Sequence, residues 1–278
     1  MKKKARLTLS LALLVLFAVG SAALVHAAAP ERIVSLVPSL TENLFALGVG
    51  DKVVGVTSWC TYPPEAQERT VVGDAFNLNI EVLLSLEPDL VLADSTLVSS
   101  HIDNLRALGI EVVTISPTTV EEVIESMVTL GAVVGAEQAG QELADQMRER
   151  LAQLTSMVPA GSSKRVFVEI WHEPLSTVGP GSYLHELINL AGGENIAADT
   201  GQAWPQFSEE QVIARDPEVV ILTNFNLNEA LQRPAWQGLA AYREGAVYEV
   251  NPDLYVRPTP RLLDGLAELI HLLHGVEI

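Results

Sequence analysis

From Arg32 onwards, short β-rich apolar runs alternate with amphipathic stretches along the chain. This alternation is typical of parallel sheets with crossover helices. Predicted strands in the first half cover 32–37, 53–57, 89–94 and 111–115. Predicted helices cover 39–50, 79–88 and 101–110. We expect Ser39 or Thr41 to cap the first helix and Gly48 or Gly50 to end it. The segment 58–67 contains two prolines, which predicts a loop outside any helix or central strand.

The same pattern restarts near Lys164. Residues 79–93 align with 208–222, so that Glu81 matches Glu210 and Pro88 matches Pro217. A second pair, 42–51 and 185–194, is alike in its helix and glycine stop. Two such pairs in the same order predict two α/β lobes of one Rossmann-like design.

Between the two halves, residues 136–158 form a stretch of strong helix formers interrupted only by Gly140. Leu143, Met147, Leu151 and Leu154 fall on one face of the predicted helix. At 1.5 Å per residue this helix would be about 30 Å long, the size of one lobe. We therefore expect lobes at 30–135 and 159–278, joined by a single long helix that keeps the cleft between them nearly fixed.

The first 29 residues have the pattern of a secretory signal peptide. Four basic residues lie within the first six positions, an uncharged apolar stretch runs to Val25, and Ala27 fits the cleavage rule. This predicts export to a periplasmic or extracytoplasmic location, with an uncleaved membrane anchor as the alternative. No cysteine lies near the cleavage site, which argues against a lipid anchor. The only cysteine, Cys60, can form no internal disulfide.

Charge and motifs narrow the class of function. The formal net charge of −18 argues against nucleic acid and anionic lipid as partners. The run HELIN at 185–189 begins like a zinc-binding helix, but Asn189 stands where the second histidine ligand must fall. Nucleophile-elbow, phosphate-loop and Cys-x-x-Cys motifs are missing from the sequence. We therefore predict a binding protein without a catalytic cofactor or metal, rather than an enzyme.

Aromatic residues cluster after predicted strands. Trp59 and Tyr62 belong to the first lobe, and Trp171 and Trp204 to the second. Ligands of open α/β sheets bind at this edge, so the rings could hold a large planar ligand between the lobes. The alternative is that each tryptophan closes the core of its own lobe.

Polar residues follow the last predicted strand, 246–250. Asp253, Tyr255 and Arg257 lie in a loop punctuated by prolines. Asp253 and Arg257 either reach polar groups of a ligand or pair with each other.

One glutamate of each repeat falls in the first turn of a predicted helix. Glu81 follows Asn79, and Glu210 follows Ser208. Carboxylates in a first turn gain about 0.3–1 kcal/mol from the helix dipole, which is one explanation. Their matching positions also suit docking to a two-fold basic partner.

Several stretches together carry a family resemblance: LVPSLTE, YPPEAQ, AGGENIAAD, WPQFSEEQVIARDPE and DLYVRPTPR. With them the chain resembles the helical-backbone (class III) periplasmic binding proteins, which deliver cobalamin, haem and iron-siderophores to ABC importers. It is most similar to the cobalamin-binding members. The resemblance implies two α/β lobes joined by one long helix, and as partners a corrinoid and an ABC permease with its ATPase. It also implies that Trp59 and Trp204 stack on the corrinoid, that Asp253 and Arg257 reach its amide side chains, and that Glu81 and Glu210 dock on the permease.

The cleft departs from that pattern in places. Where the cobalamin-binding members have aromatic residues, this chain has Ala75 beside Phe76, Asp94 and Ser176, whereas Trp171 replaces a small residue. A haem or an iron-siderophore therefore stays open as the ligand. Haem would need an axial ligand, which His172 or Tyr255 could supply. A sensory receptor or a cleft enzyme are further alternatives.

Overall fold

The computed structural model describes residues 29–74, 77–94, 99–161 and 163–278. The predicted signal segment lies outside the described residues except for Ala29. The described strands are β1 (Ile33–Ser35), β2 (Val53–Val56), β3 (Thr70–Val71), β4 (Leu90–Ala93), β5 (Val112–Thr114), β6 (Lys164–Glu169), β7 (Trp171–His172), β8 (Leu175–Ser176), β9 (Gly193–Asn195), β10 (Val219–Leu222) and β11 (Val247–Glu249). The described helices are α1 (Pro38–Ala46), α2 (Ile80–Ser85), α3 (Ser99–Ala107), α4 (Val120–Val134), α5 (Glu137–Ser156), α6 (Tyr183–Leu190), α7 (Glu209–Arg215), α8 (Leu227–Ala230), α9 (Ala240–Glu244) and α10 (Leu262–His274). None of these helices is long and apolar enough to cross a membrane.

Two parallel sheets form the two lobes. The N-terminal sheet has the order β3-β2-β1-β4-β5, and the C-terminal sheet has the order β11-β10-β6-β9. Apart from the extra edge strand β3, the two orders are the same when β6, β9, β10 and β11 are matched in turn to β1, β2, β4 and β5. The predicted parallel α/β fold and its internal repeat are therefore confirmed.

The repeat extends to backbone detail. Asn79 caps α2 by accepting a hydrogen bond from the Val82 amide, and Ser208 caps α7 by accepting one from Gln211. Six residues after Glu81 and Glu210, the backbone of both repeats adopts a positive φ, 47° at Glu87 and 40° at Asp216. Each helix thus ends in the same left-handed turn before a buried strand.

Helix α5 occupies the predicted linking segment, and its apolar face joins the two hydrophobic cores. Leu143 packs against both cores, whereas Met147 and Leu154 are buried in the C-terminal one. A neighbouring helix, α4, also runs between the cores; the sequence pattern did not predict it, although Thr119 and Glu122 form a capping box at its start.

Glycine lets α4 and α5 approach closely. A Cβ added to Gly140 would lie 2.6 Å from the carbonyl oxygen of Met127 and 3.2 Å from the Cα of Gly131. The one glycine in the predicted linking helix therefore lies where the two backbones touch.

Two local predictions were wrong. Helix α1 begins at Pro38 after Val37, without a side-chain cap, because Pro at the first helical position is already set for the helix. The Thr41 hydroxyl instead donates to Ser35 Oγ at 2.8 Å.

The segment 58–67, predicted as a loop, contains a 3₁₀ turn at Pro64–Glu68, which again starts on a proline. Gly48, with φ +76°, lies just beyond the end of α1, so its role as a helix stop is confirmed.

Candidate functional site

The carboxyl ends of the two sheets face each other. Ser35, Val56 and Leu92 lie level at the end of the N-terminal sheet, and Glu169, Leu222 and Glu249 lie level at the end of the C-terminal one. Residues just beyond these ends touch across the gap: Asn43 Nδ2 donates to the Pro258 carbonyl at 3.2 Å, and Arg257 Nη2 donates to Thr61 Oγ1 at 3.4 Å. A cleft therefore lies between the lobes, with the loops after the strands as its walls.

An ion cluster joins the lobes at the base of this cleft. Glu42, in α1, is almost fully buried and accepts hydrogen bonds from Arg261 Nε at 2.6 Å and Nη2 at 2.7 Å. Arg257 Nη1 lies 3.8 Å from the same carboxylate. The hydrogen bond to Glu42 raises the pKa of Arg261. We call Glu42, Arg257 and Arg261 the cleft floor. Glu42 was not predicted from the sequence as a cleft residue, because its partner Arg261 is 219 residues away in the chain.

On the N-terminal wall, Trp59 and Tyr62 project from the loop after β2. The Trp59 side chain is 58% exposed. Its neighbour Cys60 is buried and lies within 3.1–3.2 Å of the Thr41 and Thr57 hydroxyls, which fixes the base of the loop. The guanidinium of Arg261 lies 3.7 Å from the centre of the Tyr62 ring, so Tyr62 borders the cleft floor.

On the C-terminal wall, Trp204 is 50% exposed and is supported from behind. Its ring packs edge-on against Tyr183, with the centroids 6.4 Å apart. The flanking backbone is pinned, because the Thr177 amide donates to the Pro205 carbonyl and the Gly179 amide to the Ala203 carbonyl. Trp204 is therefore a positioned ring on a rigid segment.

Tyr183, which supports Trp204, is tied to the loop that follows the last strand of the same lobe. Its hydroxyl donates to the Val256 carbonyl at 2.8 Å. Burial, and next the charge of Asp94, raise the pKa of Tyr183. Asp94 directly follows β4 of the N-terminal lobe, so its charge acts on a side chain of the opposite lobe.

Trp171 lies on the same wall, in the β7–β8 hairpin. It is 52% exposed, its Nε1 donates to the Glu173 carbonyl at 3.0 Å, and its ring lies 5.3 Å from that of His172. By contrast Trp236, the remaining tryptophan of the chain, is fully buried in the core. Trp59, Trp171 and Trp204 are half exposed or more, so they do not close the cores of their lobes. We call these three residues, together with Tyr62, the rim aromatics.

One predicted ligand-binding residue lies elsewhere. Tyr255 is fully buried among α10 and its neighbours, and its hydroxyl donates to Glu268 Oε2 at 2.9 Å. Burial and the Glu268 charge raise its pKa. The 3₁₀ turn at Pro252–Leu254 directs this side chain inwards, so Tyr255 belongs to the core and not to the cleft wall.

Asp253 and Arg257 do pair with each other, at 2.9 Å. Arg257 also belongs to the cleft floor, and both side chains keep part of their surface exposed. The alternative of an internal pair is therefore confirmed, and contact of the two side chains with a ligand stays a prediction.

Glu81 and Glu210 are both exposed, in the first turns of α2 and α7. Each helix leads into the parallel strand that follows it, so its first turn lies near the edge where the strands end. A hydrogen bond with Ser208 lowers the pKa of Glu210 and keeps it ionised. The two carboxylates thus lie at equivalent positions on the cleft side of each lobe.

The remaining candidate residues and surfaces add little to the description of the site. Ala75 and Phe76 lie outside the described residues, and Ser176 ends the short strand β8. Within the described part of the chain, no group of three or more His, Cys, Asp or Glu side chains could hold a metal ion. Two surface depressions, around Lys164 and around Glu111, lie away from the rim aromatics.

Two α/β lobes around an aromatic-lined cleft, with a helix joining their cores, define a ligand-binding protein of the periplasmic type. A family model described as periplasmic binding protein matches residues 33–254. The chain belongs to this family, whose members bind substrates for transport and are not enzymes.

Individual relatives agree. The chain is 37% identical over 250 residues, 86% of its length and 79% of the relative's, to an uncharacterised ABC transporter substrate-binding lipoprotein of Bacillus subtilis. The solved periplasmic vitamin B12-binding protein of Vibrio cholerae is 33% identical, with a TM-score of 0.79 over 88% of this chain and 96% of that one. A periplasmic haem-binding protein from Pseudomonas aeruginosa is 26% identical, with a TM-score of 0.81 over 90% and 94%.

Proposed function

We propose that this chain is the extracytoplasmic substrate-binding component of an ABC importer, with lobes at 30–135 and 159–278, and that it holds a cobalamin or related corrinoid in the cleft. The observation that carries the proposal is the set of half-exposed rings on opposite walls, Trp59 on one and Trp204 and Trp171 on the other. A macrocycle with two apolar faces and polar edge groups suits such walls above a charged floor. The vitamin B12-binding protein among the similar structures supports this choice of ligand.

The same residues indicate how the protein would hold its ligand. The ligand is bound without covalent chemistry, by contact with the rim aromatics and by polar contacts to Asp253 and Arg257. The cleft floor restricts separation of the lobes, because pulling Glu42 away from Arg261 would leave a buried charge unpaired. Capture therefore depends on preformed walls more than on a large movement.

A titration with cyanocobalamin tests the ligand. Binding is followed by heat and by quenching of tryptophan fluorescence, to which the exposed rings contribute. Trp204→Ala should weaken binding by about 30-fold, as expected for an anchor worth about 2 kcal/mol. Trp204→Phe retains a ring and should lose less. Wild-type protein that binds no cyanocobalamin would refute the corrinoid assignment.

A haem ligand is the second candidate, supported by the haem-binding protein among the similar structures and by His172 beside Trp171. Tyr255 cannot serve as its axial ligand because it is buried and bonded to Glu268. Haemin should then give a Soret shift in the wild type that disappears in His172→Ala. An identical spectrum in both would exclude His172 as a ligand.

We further propose that Glu81 and Glu210 dock on the permease. Their support is the equivalent position of two exposed carboxylates in repeated units. The double variant Glu81→Ala/Glu210→Ala should bind ligand normally but lose uptake in cells that depend on this importer. Glu209→Ala removes an exposed carboxylate from the same turn of α7 and should leave uptake unchanged. Uptake retained in the double variant would contradict docking.

A further inference from the structure

One exposed ring of the C-terminal lobe belongs to none of the groups described above. Phe225 follows β10, and its side chain is 70% exposed. Its φ is +53°, in the left-handed region that a bulky residue rarely adopts. Single exposed apolar side chains are ordinary, but one held in a costly backbone conformation needs a cause.

Buried polar contacts hold this conformation. The amide groups of Asn224 and Asn226 both donate to Glu169 Oε1, at 2.9 Å and 2.8 Å. Glu169 is fully buried and is paired with Arg233. Because the residues on both sides of Phe225 are anchored inwards to the same carboxylate, the ring between them is directed outwards.

A second anchor follows immediately. The Leu227 amide donates to Glu249 Oε2 at 3.0 Å, which ties the start of α8 to the end of β11. The turn is thus fixed to the two strands that flank β10, to β6 through Glu169 and to β11 through Glu249. Phe225 is therefore presented on a rigid support, as a preorganised binding contact would be.

The register locates this ring on the cleft edge. Strand β10 lies between β6 and β11, with Leu222 level with Glu169 and Glu249. Trp171 comes two residues after Glu169, and Phe225 comes three residues after Leu222. Neighbouring strands are about 4.8 Å apart, so Phe225 occupies the wall between Trp171 and the loop that carries Asp253.

We propose that Phe225 is a ligand-contacting residue of this wall, which offers its ring to the apolar face or edge of a large planar ligand. The inference rests on the proposed function, since it requires a ligand in the cleft. It accounts for the strained turn: Glu169 and its partners keep an aromatic ring where the backbone alone would favour glycine or asparagine.

Two variants separate binding from folding. Phe225→Ala removes the ring, and Phe225→Gly removes both the ring and the strain. Each should raise the Kd for cyanocobalamin by roughly 3- to 10-fold, the loss expected for one aromatic contact. Phe225→Gly should also have a thermal midpoint equal to or higher than that of the wild type. A residue kept only for stability would give the opposite shift.

Leu108→Ala is the matched control. Leu108 is 54% exposed and lies between α3 and β5, at the end of the N-terminal sheet that faces away from the cleft. Removal of its side chain should therefore leave the Kd unchanged. If Trp204→Ala weakens binding while both Phe225 variants match the wild type within twofold, the inference is wrong and the proposed function stands. If wild-type protein binds neither cyanocobalamin nor haemin, the proposed function fails and the inference fails with it.

Discussion

Replacing Glu169 with alanine removes a fully buried carboxylate that accepts hydrogen bonds from Arg233, Asn224 and Asn226. Burial alone would raise the pKa of Glu169, but the hydrogen bonds from these three side chains outweigh it and lower the pKa. The charged form is therefore the one that the folded protein stabilises.

The expected cost follows from what the substitution leaves behind. The Arg233 side chain is only 12% exposed and would lose its counter-ion, a change that typically costs about 3–5 kcal/mol. Arg233 keeps its position over the Trp236 ring, 4.5 Å from the centroid, and the two asparagines are near enough to solvent to find water. We therefore expect about 3 kcal/mol, a large part of the 5–15 kcal/mol that is usual for a folded protein.

Urea unfolding at pH 7, followed by circular dichroism, measures this loss. The double variant Glu169→Met/Arg233→Met removes both charges and should recover more than half of it, because no buried charge is left unpaired. A cost below about 1 kcal/mol for Glu169→Ala, or a double variant as unstable as the sum of the single ones, would refute the reasoning.

Three further predictions concern other parts of the molecule. The pKa of Glu169 is lowered in the folded state, so its charge stabilises the fold above the ordinary pKa of 4.5, and this stabilisation is lost as pH falls through the folded pKa. The difference in unfolding free energy between wild type and Glu169→Gln should therefore shrink in urea titrations as pH falls below 4.5. Gly140→Ala should cost about 1–3 kcal/mol through its contact with the Met127 carbonyl, whereas Gly238→Ala, with nothing within 4 Å, should be close to neutral in the same titration. Glu42→Ala should lower the free energy of unfolding by about 2–3 kcal/mol and widen the cleft in small-angle scattering. Glu121→Ala, which breaks the exposed pair with Arg148, should lower it by less than about 1 kcal/mol and leave the scattering unchanged.

Sequence patterns predicted the repeated architecture because both lobes obey local rules. The alternation of strand and helix, the caps at Asn79 and Ser208, and the apolar face of α5 are all visible within a few residues. Helix α4 was not predicted, although Thr119 and Glu122 carry its capping box, because its many β-branched residues and Gly131 have low helix propensity.

The site was predicted less completely, since its contacts are distant in the chain. Glu42 and Arg261 meet only when the lobes are assembled, and no pattern around either residue indicates the other. Tyr255 was assigned to the cleft because it stands between two residues that do border it, but a single 3₁₀ turn reverses its direction. Phe225 lacks a local signal altogether, because the residue that directs it, Glu169, lies on another strand.

The cleft separates two physical tasks. Its floor is a buried ion cluster, so substitutions there change the relation between the lobes and the stability of the fold together. The three tryptophans of its rim are half exposed or more and contribute little to either core, so they can be exchanged at small cost in stability. Under the proposed function, we therefore expect exchanges of Trp59, Trp204 or Phe225 to change ligand choice while the scaffold stays the same. The fold that this chain shares with both a vitamin B12-binding and a haem-binding protein fits such a division.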